Sequence, residues 1–241
     1  MVAALAQILF NEEKFLRLTL PIVRGCFDRY VVVDAGSADQ TREVVKSFGG
    51  VVIDRAWTNN YADARNRAIE EVEKMADVDW IFFLDADEVM FPEDIAVVRQ
   101  YMEKVDFIGL ARIEFAKDFN HFLPRLYPDW QGRFFKLRVG YHFRNPVHEM
   151  VYRNDEGRSA FQNNYGIRLP HCPIYHYGRC KPKDFLWKKY HAYDLLREGK
   201  PPDTNAKPDE GEVVDPWEGL AEFVGDHPLR RITSSSTLEE A

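Results

Sequence analysis

The chain has 241 residues, 45% of them hydrophobic and 29% charged, which is the balance of an ordinary globular protein with a sizeable core. Its formal net charge of −7 excludes an overall attraction to nucleic acid or to an anionic membrane. The cysteines at positions 26, 172 and 180 form no paired framework, which favours a reducing, cytoplasmic setting. The first apolar run, Val2–Phe10, is about half as long as a membrane span, so we interpret it as a buried strand and expect no integral membrane segment.

The first hundred residues alternate between short apolar runs and amphipathic stretches, a pattern typical of β-α units around a parallel sheet. Asn11 is interpreted as the N-cap of a first helix, which Pro21 kinks or ends. Asn60 is interpreted as the cap of a later helix. Further strands are predicted at Tyr30–Val33, Val51–Ile53 and Trp80–Leu84.

Beyond about residue 105 the sequence consists of aromatic and basic stretches interrupted by proline and glycine, which predicts hairpins and loops. Phe107–Phe115 is a predicted strand, and Asp184–Arg197 is a predicted amphipathic helix. Basic residues alternate with aromatic ones at 133–141, namely Arg133, Lys136 and Arg138 with Phe134, Phe135 and Tyr141. We interpret them as a solvated hairpin face, with a basic, aromatic acceptor groove as the alternative. Residues 200–216 are rich in Pro, Asp, Glu and Lys, and we expect a mobile linker there, with a loose tail at 234–241.

Three acidic residues, Asp85, Asp87 and Glu88, follow the apolar strand Trp80–Leu84 directly. Ligands of open α/β sheets bind outside the carboxyl ends of the strands. Carboxylates this close together repel one another unless a cation lies between them, and hard oxygen ligands suit Mg²⁺ or Mn²⁺. The sequence therefore predicts a divalent metal site organised by Asp85 and Asp87, with a turn of solvated acids as the alternative.

The same residues also fit the nucleophile motif of haloacid-dehalogenase-type phosphatases, Asp-x-Asp-x-Val. In that chemistry Asp85 would attack phosphorus and Asp87 would act as acid and base. That family has its motif on the first strand of the core, whereas here it follows the fourth predicted strand. The position of the motif in the chain argues against this alternative.

Four segments together resemble the glycosyltransferases of family 2, which have the GT-A fold. These segments are Ile8–Glu13 (ILFNEE), Val31–Thr41 (VVVDAGSADQT), Ala62–Asn66 (ADARN) and Leu84–Glu88 (LDADE). The resemblance implies an α/β fold with a Rossmann-like, mostly parallel twisted sheet flanked by helices and a smaller acceptor-side region. It also implies metal-dependent transfer of a sugar from a UDP- or GDP-linked donor to an acceptor nucleophile, with inversion at the anomeric carbon.

The resemblance divides the chain into three parts. Residues 1–105 would form the nucleotide-sugar-binding α/β half, and residues 106–199 the acceptor-side region with the C-terminal helix. Residues 200–241 would be a flexible linker and tail. The sequence is compatible with several classes of acceptor: lipid, protein, polysaccharide, small molecule and modified DNA. It is also compatible with any oligomeric state. A catalytically silent module that only binds a nucleotide sugar is a further alternative.

The resemblance also assigns site residues. The nucleotide would contact the backbone of Leu9, Phe10, Asn11 and Glu12 and the side chains of Asp34, Asp39, Arg65 and Asp85. The metal would be ligated by Asp87, with Asp85 holding a metal-bound water or the ribose, and His176 completing the metal shell or contacting the pyrophosphate. Asp39 could instead cap the helix that follows it, and Arg65 could lie on a helix surface. A zinc site of His171, Cys172, His176 and Cys180 is disfavoured by its irregular spacing.

The segment Asn145–Glu149 resembles the one that supplies the catalytic carboxylate in many relatives. An inverting transfer needs a base that takes the proton of the acceptor hydroxyl. Glu149 is the candidate base, and its neighbour His148 could orient it or replace it. Asp118 and Glu114 are the next candidates.

Overall fold

The computed structural model describes residues 1–203 and 215–233, and the account below concerns these ranges. The elements of the first hundred residues are β1 (Ala3–Leu9), α1 (Glu13–Val23), β2 (Arg29–Asp34), α2 (Thr41–Ser47), β3 (Val51–Asp54), α3 (Tyr61–Glu73), β4 (Trp80–Phe83), β5 (Glu88–Val89) and α4 (Pro92–Arg99). They are followed by β6 (Phe107–Ala116), β7 (His121–Phe122), β8 (Asp129–Lys136), β9 (Tyr141–Arg144), β10 (Met150–Arg153), β11 (Ile167–Arg179), α5 (Lys183–Arg197), β12 (Ala221–Glu222) and α6 (Pro228–Thr233). None of the helices within these ranges is both long and apolar enough to span a membrane.

A ten-stranded sheet forms the centre of the molecule, with the strand order β12-β7-β6-β8-β4-β1-β2-β3. The first three strands and β4 run parallel, and β8 runs antiparallel between β4 and β6. Strand β11 pairs in parallel with β6 and in antiparallel with β5. A separate hairpin consists of β9 and β10. The predicted mostly parallel α/β sheet flanked by helices is confirmed.

The central strands are buried because helices cover both faces of the sheet. Residues Trp80–Phe83 of β4 are at most 2% exposed, as expected for a strand of uniformly apolar residues. Because parallel strands have their carboxyl ends at one edge, the residues after β1, β2 and β4 meet there. This edge collects Phe10, Asp34 and Asp85, and it carries the site described below.

The sequence predicts that Asn11 and Asn60 cap two helices, and the structure confirms this for Asn60 only. Asn60 caps α3 as predicted, because its Oδ1 accepts a hydrogen bond from the Asp63 backbone at 3.1 Å. Asn11 does not cap α1, which begins at Glu13. Asn11 adopts a left-handed φ of 54°, which asparagine tolerates, and its side chain accepts a hydrogen bond from Ala38 at 2.8 Å. It therefore joins two loops of the carboxyl edge.

Part of the expected C-terminal tail is packed against the sheet. The Phe223 ring lies 5.0 Å from that of Phe115, and the hydroxyl of Tyr177 lies 2.9 Å from Nδ1 of the buried His227. This part of the chain therefore differs from the expected flexible tail, because Phe223, His227 and Leu229 pack on the core. The remaining expectations for this region, at 204–214 and 234–241, fall outside the described residues.

Candidate functional site

The turn after β4 is fixed by Glu88. The Asp85 backbone amide donates to Oε2 of Glu88 at 2.9 Å, and the Glu88 amide donates back to the Asp85 carbonyl at 3.0 Å. Leu84 and Ala86 are buried, so the chain is anchored on the apolar side. As a result, Asp85 and Asp87 are held at the carboxyl edge of the sheet in a defined orientation.

Asp85 is paired with two arginines. Its carboxylate lies 2.9 Å from Arg65 and 3.2 Å from Arg133. Burial alone would raise the pKa of Asp85, but the two guanidinium groups outweigh it and hold that pKa well below its usual range. The sequence placed Arg133 on a solvated hairpin face, which is wrong, because Arg133 is only 7% exposed and faces the site.

Arg65 connects the two halves of the site. Its Nε donates to Oε1 of Glu149 at 2.7 Å while a terminal nitrogen holds Asp85. The guanidinium also lies 5.4 Å and 5.5 Å from the ring centroids of Phe83 and Phe143. The Arg65 side chain is only 3% exposed, so it does not lie on the helix surface, and its Nη1 has no hydrogen-bond partner within the described residues.

Asp87 belongs to a second group. Its Oδ1 lies 3.4 Å from Nε2 of His176, whose Nδ1 lies 2.8 Å from Oε2 of Glu114. Arg179 donates to the other oxygen of Glu114 at 3.1 Å. Burial lowers the pKa of His176, yet the two neighbouring carboxylates raise it to about 9. Asp87, His176 and Glu114 thus form a continuous row of polar groups.

The sheet register produces this row. In β11, His176 is the direct partner of Glu88 in β5 and of Glu114 in β6. The backbone amide of Tyr177 also donates to the Asp87 carbonyl at 2.8 Å, which ties β11 to the acidic turn. Residues far apart in sequence are therefore aligned by strand pairing.

Two lysines lie close to the acidic residues: Lys181, which precedes α5, and Lys189, which lies within it. Nζ of Lys181 is 3.5 Å from Glu12 and 3.9 Å from Asp87. Burial and the nearby Asp87 raise the pKa of Glu12 to about 7. Burial lowers the pKa of Lys189, but Asp87, Tyr61 and Glu12 raise it above its usual value. The lysines thus bring positive charge to the site, although no pattern in the sequence marks them.

The two candidate metal ligands that remain available are Asp87 and His176. Asp85, which the sequence also assigned to the metal, has its carboxylate occupied by two arginines. Within residues 1–203 and 215–233, no group of three or more His, Cys, Asp or Glu side chains is arranged to hold a metal, the zinc alternative included. A site with two protein ligands would need its other ligands from phosphate and water, as Mg²⁺ commonly does.

The geometry of this pair fits a divalent ion. The donor atoms are 3.4 Å apart, whereas adjacent ligands of an octahedral ion at roughly 2.1 Å are roughly 3.0 Å apart, so a small shift of either side chain would bring both to one ion. Gly178 keeps the adjoining space open, because a Cβ at this position would lie 2.8 Å from Oδ2 of Asp87 and would collide with Nε2 of His176. The carboxylate and imidazole donors suit Mn²⁺ as well as Mg²⁺.

The residues assigned to the nucleotide by sequence lie along the same edge. Asp34 is fully buried and accepts hydrogen bonds from the Gly36 and Ser37 amides at 3.1 and 3.0 Å and from Arg42 at 2.8 Å. All of these contacts use Oδ2, and Oδ1 has no partner within the described residues. Phe10, directly after β1, is 58% exposed.

Asp39 connects helices α1 and α2. Its Oδ1 accepts from the Thr41 amide at 3.0 Å, and its Oδ2 accepts from the Glu13 amide at 3.2 Å. Both oxygens therefore satisfy backbone groups at the starts of these helices. Beside them, the Glu12 amide donates to Oγ1 of Thr41 at 2.9 Å, and the Leu9 carbonyl accepts from Ala35 at 2.8 Å.

Of the four candidate bases, Glu149 is connected to Asp85 through their shared partner Arg65. Glu149 is bonded to Arg65 and is 14% exposed, and the adjacent His148 faces Tyr193 of α5 with ring centroids 6.2 Å apart. Glu114 is occupied by His176 and Arg179. Asp118 is bonded to His121 at 2.7 Å on the surface. The structure thus groups Glu149 with the acidic turn, and His148 precedes it in the chain.

The sequence did carry one signal for Glu114. It and Arg112 occupy alternate positions in the otherwise apolar strand β6, so they lie on the same face of the sheet. Charged residues at such positions are rarely buried without partners. Their partners come from β5, β8 and β11, and only the folded structure reveals them.

The chain is similar to glycosyltransferases in both sequence and fold. The family model described as Glycosyl transferase family 2 matches residues 8–175. The prophage-derived glycosyltransferase SunS of Bacillus subtilis is 29% identical over 144 residues, which are 59% of this chain and 33% of SunS. A TPR repeat-containing protein of Synechococcus elongatus is 28% identical over 183 residues, 73% of this chain and 42% of that protein.

The crystal structure of S. aureus TarS resembles this fold with a TM-score of 0.52 at 18% identity, covering 87% of this chain and 41% of TarS. The chain thus spans less than half the length of each of these three proteins. The family match also leaves the phosphatase interpretation of Asp85 and Asp87 without support.

Proposed function

The chain belongs to glycosyl transferase family 2 and has the GT-A fold, and we propose that it transfers a sugar from a nucleotide-diphosphate donor to an acceptor nucleophile. We further propose that the reaction needs Mn²⁺ or Mg²⁺ and inverts the anomeric carbon. The observation that carries the proposal is Arg65, which holds Asp85 and Glu149 together beside the pair of Asp87 and His176. Donor-side and acceptor-side groups are thereby fixed at one edge of the sheet.

The Oδ1 oxygen of Asp34 favours a nucleotide whose base is uracil or guanine. It is buried and accepts no hydrogen bond within the described residues, and an unsatisfied buried acceptor is costly. A ring N–H, which uracil and guanine have at neutral pH, would satisfy it. We therefore assign the nucleobase to the loops after β1 and β2, with Asp34 as its hydrogen-bond acceptor.

The diphosphate is assigned to the other end of the edge, beside Asp87, His176 and the two lysines. A divalent cation bound there would neutralise the charge that builds on the departing diphosphate. Lys181 and Lys189 would add positive charge from the α5 side. Glu149 would take the proton of the acceptor hydroxyl: Arg65 binds its Oε1 and leaves Oε2 without a hydrogen bond in the described part of the chain.

The proposed compartment is the cytoplasm. Cys26, Cys172 and Cys180 are all free thiols, which fits a reducing environment. Cys172 is buried, and burial raises its pKa to about 11, so it remains a protonated and unreactive thiol at neutral pH.

Nucleotide binding is expected to depend on the metal. Asp87 faces the proposed diphosphate position, so without a divalent cation its carboxylate repels a second anion there. Calorimetric titration with UDP and with GDP should give clear binding in Mn²⁺ and much weaker binding after EDTA. Equal affinities in the two conditions would contradict the proposed metal role.

Lys189→Met is expected to weaken UDP binding by about tenfold, the effect of losing one hydrogen bond to a charged group. The affinity for UMP, which lacks the second phosphate, should change less. The exposed neighbour Lys188 provides the matched control, because Lys188→Met removes the same charge from the outer face of α5. If the two variants lose UDP affinity equally, the loss comes from the change in net charge of the protein. Lys189 would then have no specific role in binding the diphosphate.

A further inference from the structure

Glu114 contacts His176 from the side opposite Asp87, and the proposed reaction gives it no role of its own. We propose that Glu114 is a positioning residue, which holds the His176 ring in the orientation and tautomer that let Nε2 bind a divalent cation together with Asp87. This inference rests on the metal-dependent function proposed above. Glu114 would act only through His176 and would touch neither metal nor substrate.

The first support is the hydrogen bond between Nδ1 of His176 and Oε2 of Glu114, at 2.8 Å. A carboxylate can only accept, so the proton of this bond belongs to Nδ1. Nε2 faces the Asp87 carboxylate at the longer distance of 3.4 Å, so a neutral ring keeps its proton on Nδ1 and its lone pair on Nε2. Metal-binding histidines commonly donate their other N–H to a carboxylate in this way, and the contact fixes the ring.

The second support is the rigidity of Glu114 itself. Its side chain is 3% exposed, and its second oxygen accepts from Arg179 at 3.1 Å. Strand pairing places Glu114 directly opposite His176, and the neighbouring Tyr177 amide is bonded to the Asp87 carbonyl. Both candidate ligands are therefore tied to β11, and Glu114 fixes the one remaining freedom, the rotation of the imidazole.

The competing explanation is that Glu114 only stabilises the fold through its arginine contacts. A double-mutant cycle separates the two, because a residue that acts through His176 has no effect once His176 is gone. We would measure Mn²⁺ affinity from the paramagnetic resonance signal of free Mn²⁺, with the full chain, first alone and then at a fixed UDP concentration. The cycle uses Glu114→Ala, His176→Ala and the double variant.

Glu114→Ala is expected to weaken Mn²⁺ binding by about 10- to 100-fold. Glu114→Gln should restore most of the affinity, because its amide oxygen can still accept from Nδ1. In the His176→Ala background, Glu114→Ala should change Mn²⁺ affinity no further. Asp129→Asn is the matched control: it removes a carboxylate that is bonded to Arg112 in the same network at 2.7 Å and makes no contact with His176, so affinity should stay unchanged.

Three outcomes would overturn the inference. In the first, the Glu114→Ala protein binds Mn²⁺ as the wild type does, and the proposed metal dependence is unaffected. In the second, Glu114→Ala weakens Mn²⁺ binding equally in the presence and in the absence of His176. Absence of Mn²⁺ binding by the wild type, even with UDP, would overturn both this inference and the proposed metal dependence. If the alanine variant does not fold, Glu114→Leu, which fills the buried volume, replaces it in the cycle.

Discussion

Asp87→Ala is expected to abolish sugar transfer and leave the fold intact. Asp87 is one of two donors available to the metal, so its loss removes the stabilisation of the leaving diphosphate. Burial raises the pKa of Asp87, but His176, Lys189 and Lys181 hold it well below its usual range, so loss of the carboxylate costs some stability. The fold should persist, because the Asp87 backbone carbonyl still accepts from the Tyr177 amide at 2.8 Å. Turnover should be measured as hydrolysis of UDP-glucose and GDP-mannose in Mn²⁺, and the fold by circular dichroism.

The control for this variant is Asp77→Ala. Asp77 is 51% exposed, precedes β4 at the opposite edge of the sheet, and is paired with Arg29. It should keep full turnover and normal spectra. An Asp87→Ala protein that turns over donor at near wild-type rate would eliminate Asp87 as a metal ligand. Unfolding of this variant would show that the fold depends on the Asp87 carboxylate, contrary to the argument from its backbone contact.

Glu149→Gln is expected to lower kcat for transfer by about 10² to 10⁴, the usual contribution of a general base. Glutamine keeps the shape of the side chain, and its amide oxygen can still accept from Nε of Arg65, so the pairing of Arg65 with Asp85 should persist. It cannot take a proton. Donor affinity, measured by calorimetry with UDP in Mn²⁺, should therefore change little.

His148→Ala is the informative comparison, since His148 is adjacent to Glu149 and its ring faces Tyr193. If Glu149→Gln transfers sugar normally and His148→Ala does not, the base is His148. If neither variant is affected, the base lies outside this segment, and Asp118 is tested next, because both oxygens of Glu114 are occupied by His176 and Arg179. A wild-type protein that binds donor without any turnover would identify a silent nucleotide-sugar-binding module.

The sequence was sufficient to predict the central strands and the edge of the sheet at which the acidic residues emerge. The uninterrupted apolar run of β4 predicts a strand that is buried on both faces, and the acids that follow it must emerge where that strand ends. The cap at Asn60 is equally local, because an asparagine side chain and an amide three residues later are enough to form it. Strands and helix caps that depend only on residues close together in the chain can therefore be predicted from the sequence.

The partners of the site residues were not accessible from the sequence. Arg65 contacts Asp85 and Glu149 across 20 and 84 residues, and Arg133 contacts Asp85 across 48. The acidic turn predicted a cation, and the fold supplies two arginines to Asp85 in addition to any metal. Local sequence patterns predict which groups need a partner, whereas the identity of that partner depends on how the strands are arranged.

Strand pairing has a further consequence for β11. Tyr175 and Tyr177 point into the core, where they are 6% and 0% exposed, and His176 between them points to the opposite face. The pairing of β11 with β6 already shifts register between Leu169 and Ile174. A slip of one residue would exchange the two faces, placing a phenol beside Asp87 and the imidazole in the apolar core. Over evolutionary time, single-residue insertions or deletions in this segment would therefore be as damaging as loss of His176 itself, although every residue of the site would remain in the sequence.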